Sequence, residues 1–323
     1  MKAAVYHRFG GPDVVRVEQV PQPEVGATEV LIRVRATTVS AADRRARSKD
    51  VPAGLALPSS LVLGIRRPRR PILGMDVAGV VESVGARVTR FRPGDEVVAM
   101  LGSRFAGHAE FAVADESSAI ALKPTTASFA EAVALVFGGI TARAFLNQTR
   151  VEPGSSVLVN GASGAVGSAA VQLCAAAGAQ VTAVSSAGNA ELVRSLGADS
   201  TVDYNAADFA GGPDRYDIVI DCVGNAPVSR VRPVLRPCGA VLLVAGNLRS
   251  LVTAPAQARR HGLTVATAPG PYLASDLEHL GCLLDAGRLR AVIDRRYPLD
   301  EIAAAHRRVD TNRKRGNVVI DVG

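Results

Sequence analysis

Residues 157–172 read VLVNGASGAVGSAAVQ. An apolar run enters a glycine-rich turn. The turn opens into an alanine-rich segment with Val166, Ala169, Ala170 and Leu173 at the spacing of one helix face. Strand, tight turn and helix in direct succession make a βαβ unit, which commits this part of the chain to a parallel sheet covered on both faces. The turn Gly161-Ala162-Ser163-Gly164-Ala165-Val166-Gly167 spaces its glycines as G-x-x-G-x-x-G, slightly offset from the commoner nucleotide fingerprint. Gly161 permits the sharp exit from the strand. Gly164 lets backbone approach a pyrophosphate, and Gly167 lets the helix pack tightly on the sheet. Amides at the helix start, with its positive end, then meet the anion. The alternative is a tight turn with no ligand.

The end of the second strand bears on which dinucleotide is held. A site for the unphosphorylated cofactor usually places Asp or Glu there to grip the ribose hydroxyls. Here the residues are Ser185, Ser186, Ala187, Gly188 and Asn189. Hydroxyls and an amide can donate to a 2′-phosphate, and no carboxylate repels it, so NADP is expected. Asn189 could equally cap the helix that follows. Gly197 suits the end of that helix. Tyr204, after the third strand, could reach the adenosine side or lie as a ring on the surface.

Organisation changes along the chain. Up to about residue 125 the sequence offers short Val-rich runs at 2–6, 14–20, 30–36, 77–84, 96–100 and 109–114, punctuated by Gly, Pro and Asp, as in an all-β domain. From 128 the rhythm becomes helical, with Phe129, Ala132, Val133 and Val136 on one face. Strands are then expected at 156–160, 180–184, 200–203, 216–221 and 240–245, and helices at 165–177, 190–196, 226–235 and 275–286. A strand near 289–294, a helix with Ile302, Ala305 and Val309 on one face, and a terminal strand close the chain in the style of its opening. The expected fold is an α/β domain at 126–270, inserted after a mainly β domain at 1–125 and closed by 271–323, which returns to it.

Composition narrows the classes. A formal net charge of +7 is mild for 323 residues and allows an anionic ligand. The Arg-rich runs at 44–49 and 66–70 lack interleaved aromatics, so no nucleic-acid partner is expected. A solvated excursion or a specificity loop is expected instead. Cys174, Cys222, Cys238 and Cys282 form no CxxC pair; most are expected to be small buried hydrophobes in a reducing compartment. The opening MKAAVYHRFGG lacks the apolar core of a signal peptide. Residues 165–184 come nearest to a membrane span and carry glycine and glutamine. The reading is therefore a cytoplasmic protein without a membrane partner.

These stretches resemble the medium-chain dehydrogenase/reductase superfamily, in its zinc-independent, quinone oxidoreductase-like branch. The resemblance spans essentially the whole chain. It is carried by the opening through TTVSAAD, by PILGMDVAGVVESVGARVTRFRPGDEV, by NGASGAVGSAAVQLCAAAGAQVTAV, by LVRSLGADSTVDY and YDIVIDCVG, and by GRLRAVIDRRYPLDEIAAAH with RGNVVIDV. It implies a GroES-like barrel domain, a Rossmann domain, NADPH-dependent reduction of quinones or of activated enones and enals, and a homodimer. Zinc-using relatives carry Cys and His where this chain has Ser40 and Met75. Asp76 alone makes no zinc site, so no metal is expected.

Without a metal Lewis acid, alcohol oxidation lacks a driver, whereas hydride transfer to a conjugated acceptor needs less. The resemblance points to Ser40, Asp43 and Thr141 as catalytic-side groups. Ser40 stands where the branch often has Asn, Asp43 matches a nearby acid, and Thr141 matches a threonine that contacts the cofactor. Thr141 could instead bond its own helix backbone. Gly246, Asn247 and Leu248 match the nicotinamide-side loop, and Asn317 a further cofactor contact before the last strand. No histidine stands out as an acid. Two other functions stay open. One is a trans-acting enoyl reductase or tailoring reductase whose basic 44–70 stretch serves an acidic partner. The other is a non-catalytic NADPH-binding sensor or RNA-binding protein.

Overall fold

A computed structural model describes residues 1–50, 59–60 and 63–323. The rest of the basic 44–70 stretch lies outside the described residues. In chain order the elements are β1 (Lys2–Tyr6), β2 (Val15–Gln19), β3 (Glu29–Val39), α1 (Ala41–Ser48), β4 (Asp76–Val84), β5 (Glu96–Met100), β6 (Phe111–Asp115), β7 (Ile120–Leu122) and α2 (Phe129–Leu146). There follow β8 (Ser156–Asn160), α3 (Ala165–Ala176), β9 (Gln180–Ser185), α4 (Ala190–Ser195), β10 (Ser200–Asp203), β11 (Tyr216–Asp221), α5 (Val228–Val231), β12 (Leu235–Leu243), α6 (Leu248–Arg260) and β13 (Thr264–Ala266). The chain closes with α7 (Ala274–Asp285), β14 (Ile293–Pro298), α8 (Ile302–Asp310) and β15 (Asn317–Asp321). The described residues fall into two compact units, one of 1–50, 59–60, 63–140 and 272–323, the other of 141–271.

The second unit is a parallel sheet in the order β10-β9-β8-β11-β12-β13. This is the 3-2-1-4-5-6 order of a doubly wound Rossmann sheet, in which ligands bind at the carboxyl ends where the order reverses. Val157, Leu158, Val159, Val181, Val219 and Leu242 are buried, as strands covered on both faces require. The helix expected over 226–235 shrinks to α5. Pro227 stands at its N-cap and Pro233 follows within a 3-10 turn, Arg232–Val234; a proline removes an N–H and steers the residue before it away from the helix. β12 accordingly starts at Leu235, earlier than expected.

The first unit is mainly antiparallel, ordered β14-β15-β3-β4-β5-β7, with β6 also on β3. β15 returns the end of the chain to its beginning, with Val318 opposite Val39 and Asp321 opposite Ala36. β1 and β2 form a separate ladder, tied on by bridges Ala3–Ala109 and Val5–Ile72. β14 overlaps the expected 289–294 only at Ile293 and Asp294 and runs on to Pro298. It is an edge strand carrying Asp294, Arg295 and Arg296, whose charges hide it from an apolar pattern. Asn317 opens β15 rather than preceding it.

Two further expectations change. Cys174 is buried, but Cys222 is half-buried and Cys238 and Cys282 are exposed. The helix long and apolar enough to cross a membrane is α2, not a segment of 165–184; 72% of it is buried inside the fold, which explains apolar residues all round it.

The first unit buries charge beneath α1 and α8. Arg47 donates to both carboxylate oxygens of Asp310 (2.8 and 2.7 Å) and to Gly10 O (3.2 Å). His306 lies edge-on to His108 at 5.8 Å. Burial, followed by the neighbouring His108 and Arg47, pushes His306 well below its usual 6.5. His108 Nε2 faces Thr38 O at 2.9 Å and so carries the proton. Asp76 accepts from Thr38 N (2.8 Å) and Thr38 Oγ1 (2.7 Å), yet burial pushes its carboxyl up to about 7.

These two groups act oppositely on stability. His306 is depressed in the fold, so its contribution is full above about pH 6.5 and is lost as pH falls and the unfolded chain takes the proton. Asp76 is raised, so its contribution is full at low pH and is lost as pH rises toward 7. His306→Phe should flatten the acid-side fall in Tm between about pH 7 and 5 by a few degrees, and Asp76→Asn should steepen it. Thermal melts across that range check both signs.

Candidate nucleotide and active site

The glycine turn sits at the carboxyl end of β8. Gly161 and Ala162 donate to Val184 O, each at 3.1 Å, and Gly164 donates to Gly161 O at 3.1 Å. Gly161 has φ +79°. Ser168 N to Gly164 O (2.8 Å) is the bond that starts α3, and no side chain caps the helix at Gly164. The amides of Ala165, Val166 and Gly167 are thus the unpaired first-turn donors that every helix has. A Cβ on Gly167 would lie 2.1 Å from Gly161 O, so only glycine lets helix and turn approach this closely. A Cβ on Gly164 would meet nothing nearer than the same oxygen at 3.4 Å. The packing inside the protein therefore leaves room at Gly164, where backbone would face a pyrophosphate. This cradle fits a dinucleotide phosphate.

At the end of β9 three of the expected residues meet. Asn189 Nδ2 lies 3.1 Å from Ser163 Oγ and 3.1 Å from Ser186 Oγ. The alternative of a capping Asn189 does not hold, because its side chain makes no cap bond to α4. With the amide donating to both oxygens, both hydroxyl protons remain to be donated elsewhere. Ser185 is buried, its hydroxyl on Ser186 O (3.2 Å), and its own carbonyl takes the amide of Tyr204 at 3.2 Å. The Tyr204 ring is exposed.

Gly246, Asn247 and Leu248 follow β12, at the same edge of the sheet. Asn247 Oδ1 accepts from Ser250 N at 2.8 Å, and Leu248 begins α6. Thr141 is buried within α2.

Ser40, Asp43 and Asn317 belong to the other unit. Ser40 caps α1 in a reciprocal box: its Oγ accepts from Ala42 N and Asp43 N (3.2 Å each), while Asp43 Oδ2 accepts from Ser40 N (2.8 Å) and Ser40 Oγ (2.5 Å). The other Asp43 oxygen takes the amide of Gly74 at 2.8 Å. Asn317 Nδ2 donates to Val292 O at 3.2 Å. Asn317 stands one residue before Val318, whose partner Val39 stands one residue before Ser40, so all three gather at one end of that sheet.

A family profile described as the alcohol dehydrogenase GroES-like domain matches residues 26–143, and one described as zinc-binding dehydrogenase matches 196–320. The chain is 33% identical to the 2-methylene-furan-3-one reductase of Solanum lycopersicum, over 99% of this chain and 79% of that protein. It is 32% identical to the chloroplastic NADPH-dependent alkenal/one oxidoreductase of Arabidopsis thaliana, with the same coverage. The chain belongs to the medium-chain dehydrogenase/reductase superfamily, in its quinone oxidoreductase-like branch. The structure of the quinone oxidoreductase from Coxiella burnetii superposes with a TM-score of 0.89 at 27% identity, covering 100% of this chain and 99% of that one.

This superfamily member also uses residues that reading the sequence missed. Asp221, at the carboxyl end of β11, takes Val223 N (3.0 Å), Gly224 N (2.9 Å), Ala226 N (2.7 Å) and Asn160 Nδ2 (2.9 Å). Asn160 also reaches Asn225 Oδ1 at 2.6 Å. A buried carboxylate thus organises the loop beside the glycine turn. The signal was present as a polar residue closing each apolar run, VLVN and DIVID. Asp76, which opens the apolar run DVAGVV, is fully buried.

Gly164→Ala should fold with Tm within about 2 °C of the parent and yet bind dinucleotide at least about tenfold more weakly. Gly167→Ala should lose both, by the backbone clash. Thermal melts and nicotinamide fluorescence titrations of the two variants separate the roles.

Proposed function

We propose that the protein reduces quinones or activated enones and enals with NADPH, without a catalytic metal. The observation that carries the cofactor choice is the Ser163–Asn189–Ser186 cluster at a strand end without a carboxylate. Asn189 holds the two hydroxyl groups so that both donate to the 2′-phosphate. The amides of Ala165, Val166 and Gly167 take the pyrophosphate. When bound, NADPH supplies the hydride.

Ser40 and Asp43 act in this reading as positioning residues, fixing the start of α1 through their capping box and the Gly74 amide. Thr141, Gly246, Asn247, Leu248, Tyr204 and Asn317 serve on the cofactor side. The metal-free reading is supported by Ser40 being spent on the cap. Among the described residues, moreover, no group of three or more His, Cys, Asp and Glu could hold a metal ion. Negative charge that develops on the acceptor's oxygen needs a donor, and a conjugated acceptor demands less of it than an alkoxide would. Free cysteines suit a reducing cytoplasm. The edge of the Rossmann sheet at β13, unpaired on one side among the described residues, suits a homodimer.

Ser186→Asp places a carboxylate where the phosphate is read. NADPH should bind at least about tenfold more weakly, while NADH changes less than about twofold. Paired fluorescence titrations check this; an equal loss for both cofactors would move the 2′-phosphate elsewhere.

A further inference from the structure

No acidic residue occurs between Asp50 and Asp76, and within that interval residues 65–70 read Ile65-Arg66-Arg67-Pro68-Arg69-Arg70. All four arginines are exposed. Ile65 is 70% exposed, more than any other large apolar side chain among the described residues. The flanks are tied down. Leu63 packs on the core of the first unit, and Ile72 on the small cluster of Ala3, Val5 and Ala109. Arg69 N donates to Leu63 O at 2.9 Å, and Tyr6 N to Pro71 O at 2.9 Å. Gly64, at φ +109°, lies so close to Arg67 O that a Cβ would sit 2.1 Å from it. The backbone thus turns between two packed anchors and leaves Ile65 and the arginines outside.

Lys49 joins a second loop to this turn. Its Nζ donates to Ile65 O at 2.7 Å and stands 4.9 Å from the centre of the Phe9 ring. Arg8, beside Phe9 in the chain, is exposed as well. Among the described residues, none of Arg8, Arg66, Arg67, Arg69 and Arg70 has an acidic partner. The acids nearest in sequence are engaged elsewhere, Asp13 with Arg307, Glu18 with His7 and Asp50 with Arg44. Other surface arginines are compensated: Arg33 meets Glu82, Arg104 meets Glu29 and Arg296 meets Asp321. Five uncompensated cations therefore accompany one exposed isoleucine.

A single exposed isoleucine signifies little alone; its company decides the partner. Like charges held together without counter-charges favour an anionic surface. Ile65 and Arg70 lie at most about 18 Å apart, a patch small beside the roughly 800 Å² that each side gives to a stable protein interface. The turn offers no ring on which bases stack, and a small phosphate has no use for an isoleucine. An anionic bilayer uses both features. The apolar residue enters the boundary between head groups and acyl chains, and the long stem of arginine lets the guanidinium stay at the phosphates. Lipid head groups move to meet the cations, so no fixed arrangement of the arginines is required. An apolar insertion and a basic patch are the two signals that attachment to a membrane surface combines. The lack of a spanning segment in the sequence bears on crossing a bilayer, not on resting against one.

We propose that residues 65–70 form, with Arg8, a docking surface for an anionic membrane, Ile65 inserting at the acyl-chain boundary while the arginines bind lipid phosphates. The attachment is peripheral and reversible, and salt releases it. It concerns the first unit alone and stands apart from the reductase reading, since no step of catalysis enters it. The cytoplasmic leaflet carries the anionic lipid, which agrees with the compartment proposed above.

The test is flotation of the full chain with vesicles of phosphatidylcholine alone or mixed equally with phosphatidylglycerol. The mixed vesicles should bind at least about tenfold more tightly, and less so as salt rises. Arg66→Ala/Arg67→Ala/Arg69→Ala/Arg70→Ala should lose at least about tenfold in that affinity. Arg87→Ala/Arg232→Ala/Arg259→Ala/Arg260→Ala, which removes the same charge from other exposed arginines, should lose less than about threefold. Both should melt within about 2 °C of the parent, which shows that they fold. The chain contains no tryptophan, so Ile65→Trp reports insertion at this position: its indole emission should shift to the blue on the mixed vesicles and be quenched by lipids brominated in the acyl chains. Equal affinity for the two kinds of vesicle, or equal losses in the two quadruple variants, overturns the proposal. So does an indole that neither shifts nor is quenched. Binding of polyglutamate at least as tight as that of the mixed vesicles overturns it in favour of an acidic protein partner. Release from the vesicles by inorganic phosphate at constant ionic strength overturns it in favour of a small-anion site.

Discussion

One approach between two backbone segments governs the second unit. The carbonyl of Gly161 and the α-carbon of Gly167 are so close that no side chain fits between them. That contact lays α3 against β8 and aims the helix start across the carboxyl edge of the sheet. Everything proposed for the dinucleotide depends on it: the unpaired amides, the Ser163 hydroxyl carried by the turn, and Asn189 reaching across from the 3-10 turn that follows β9. Asp221 serves the neighbouring loop in the same way, spending one carboxylate on three backbone amides and a side-chain amide.

The first unit solves a different problem. It buries Asp43, Arg47, Asp76, His108 and His306 in a predominantly apolar domain. Each of the two carboxyl groups is surrounded by donors, as a polar group buried away from water requires. Asp43 and Arg47, one helical turn apart on α1, fasten that helix to Gly74 and to Asp310. Residues that a resemblance assigns to chemistry are thus occupied in holding the scaffold, and their influence on a reaction passes through the placement of α1.

The parallel sheet was legible because its strands are short, apolar runs separated by helical ones, a pattern set by burial on both faces. The glycine turn was legible because close approach leaves few residue choices. Three features were not. β14 is an edge strand whose charges pair sideways, Arg296 with Asp321 and Asp294 with Arg308, so it carries no apolar signature. The brevity of α5 is set by two prolines acting against an otherwise helical run. The meeting of Ser163 with Asn189, and of His108 with His306, joins residues far apart in sequence, which periodicity cannot see. Serine and asparagine at a strand end suggested a phosphate; only the fold shows which hydroxyls the amide orients.

The pairing of β15 with β3 also sets an order of events during synthesis. Residues 141–271 are contiguous, so their sheet can assemble as soon as they have left the ribosome. The segment Ala36–Val39 cannot complete its ladder until the last strand emerges. For most of translation it is an unsatisfied β edge, the feature that invites pairing with another chain. The nascent protein is thus most exposed to misassembly in the half made first, and its need for a chaperone should end only when β15 arrives.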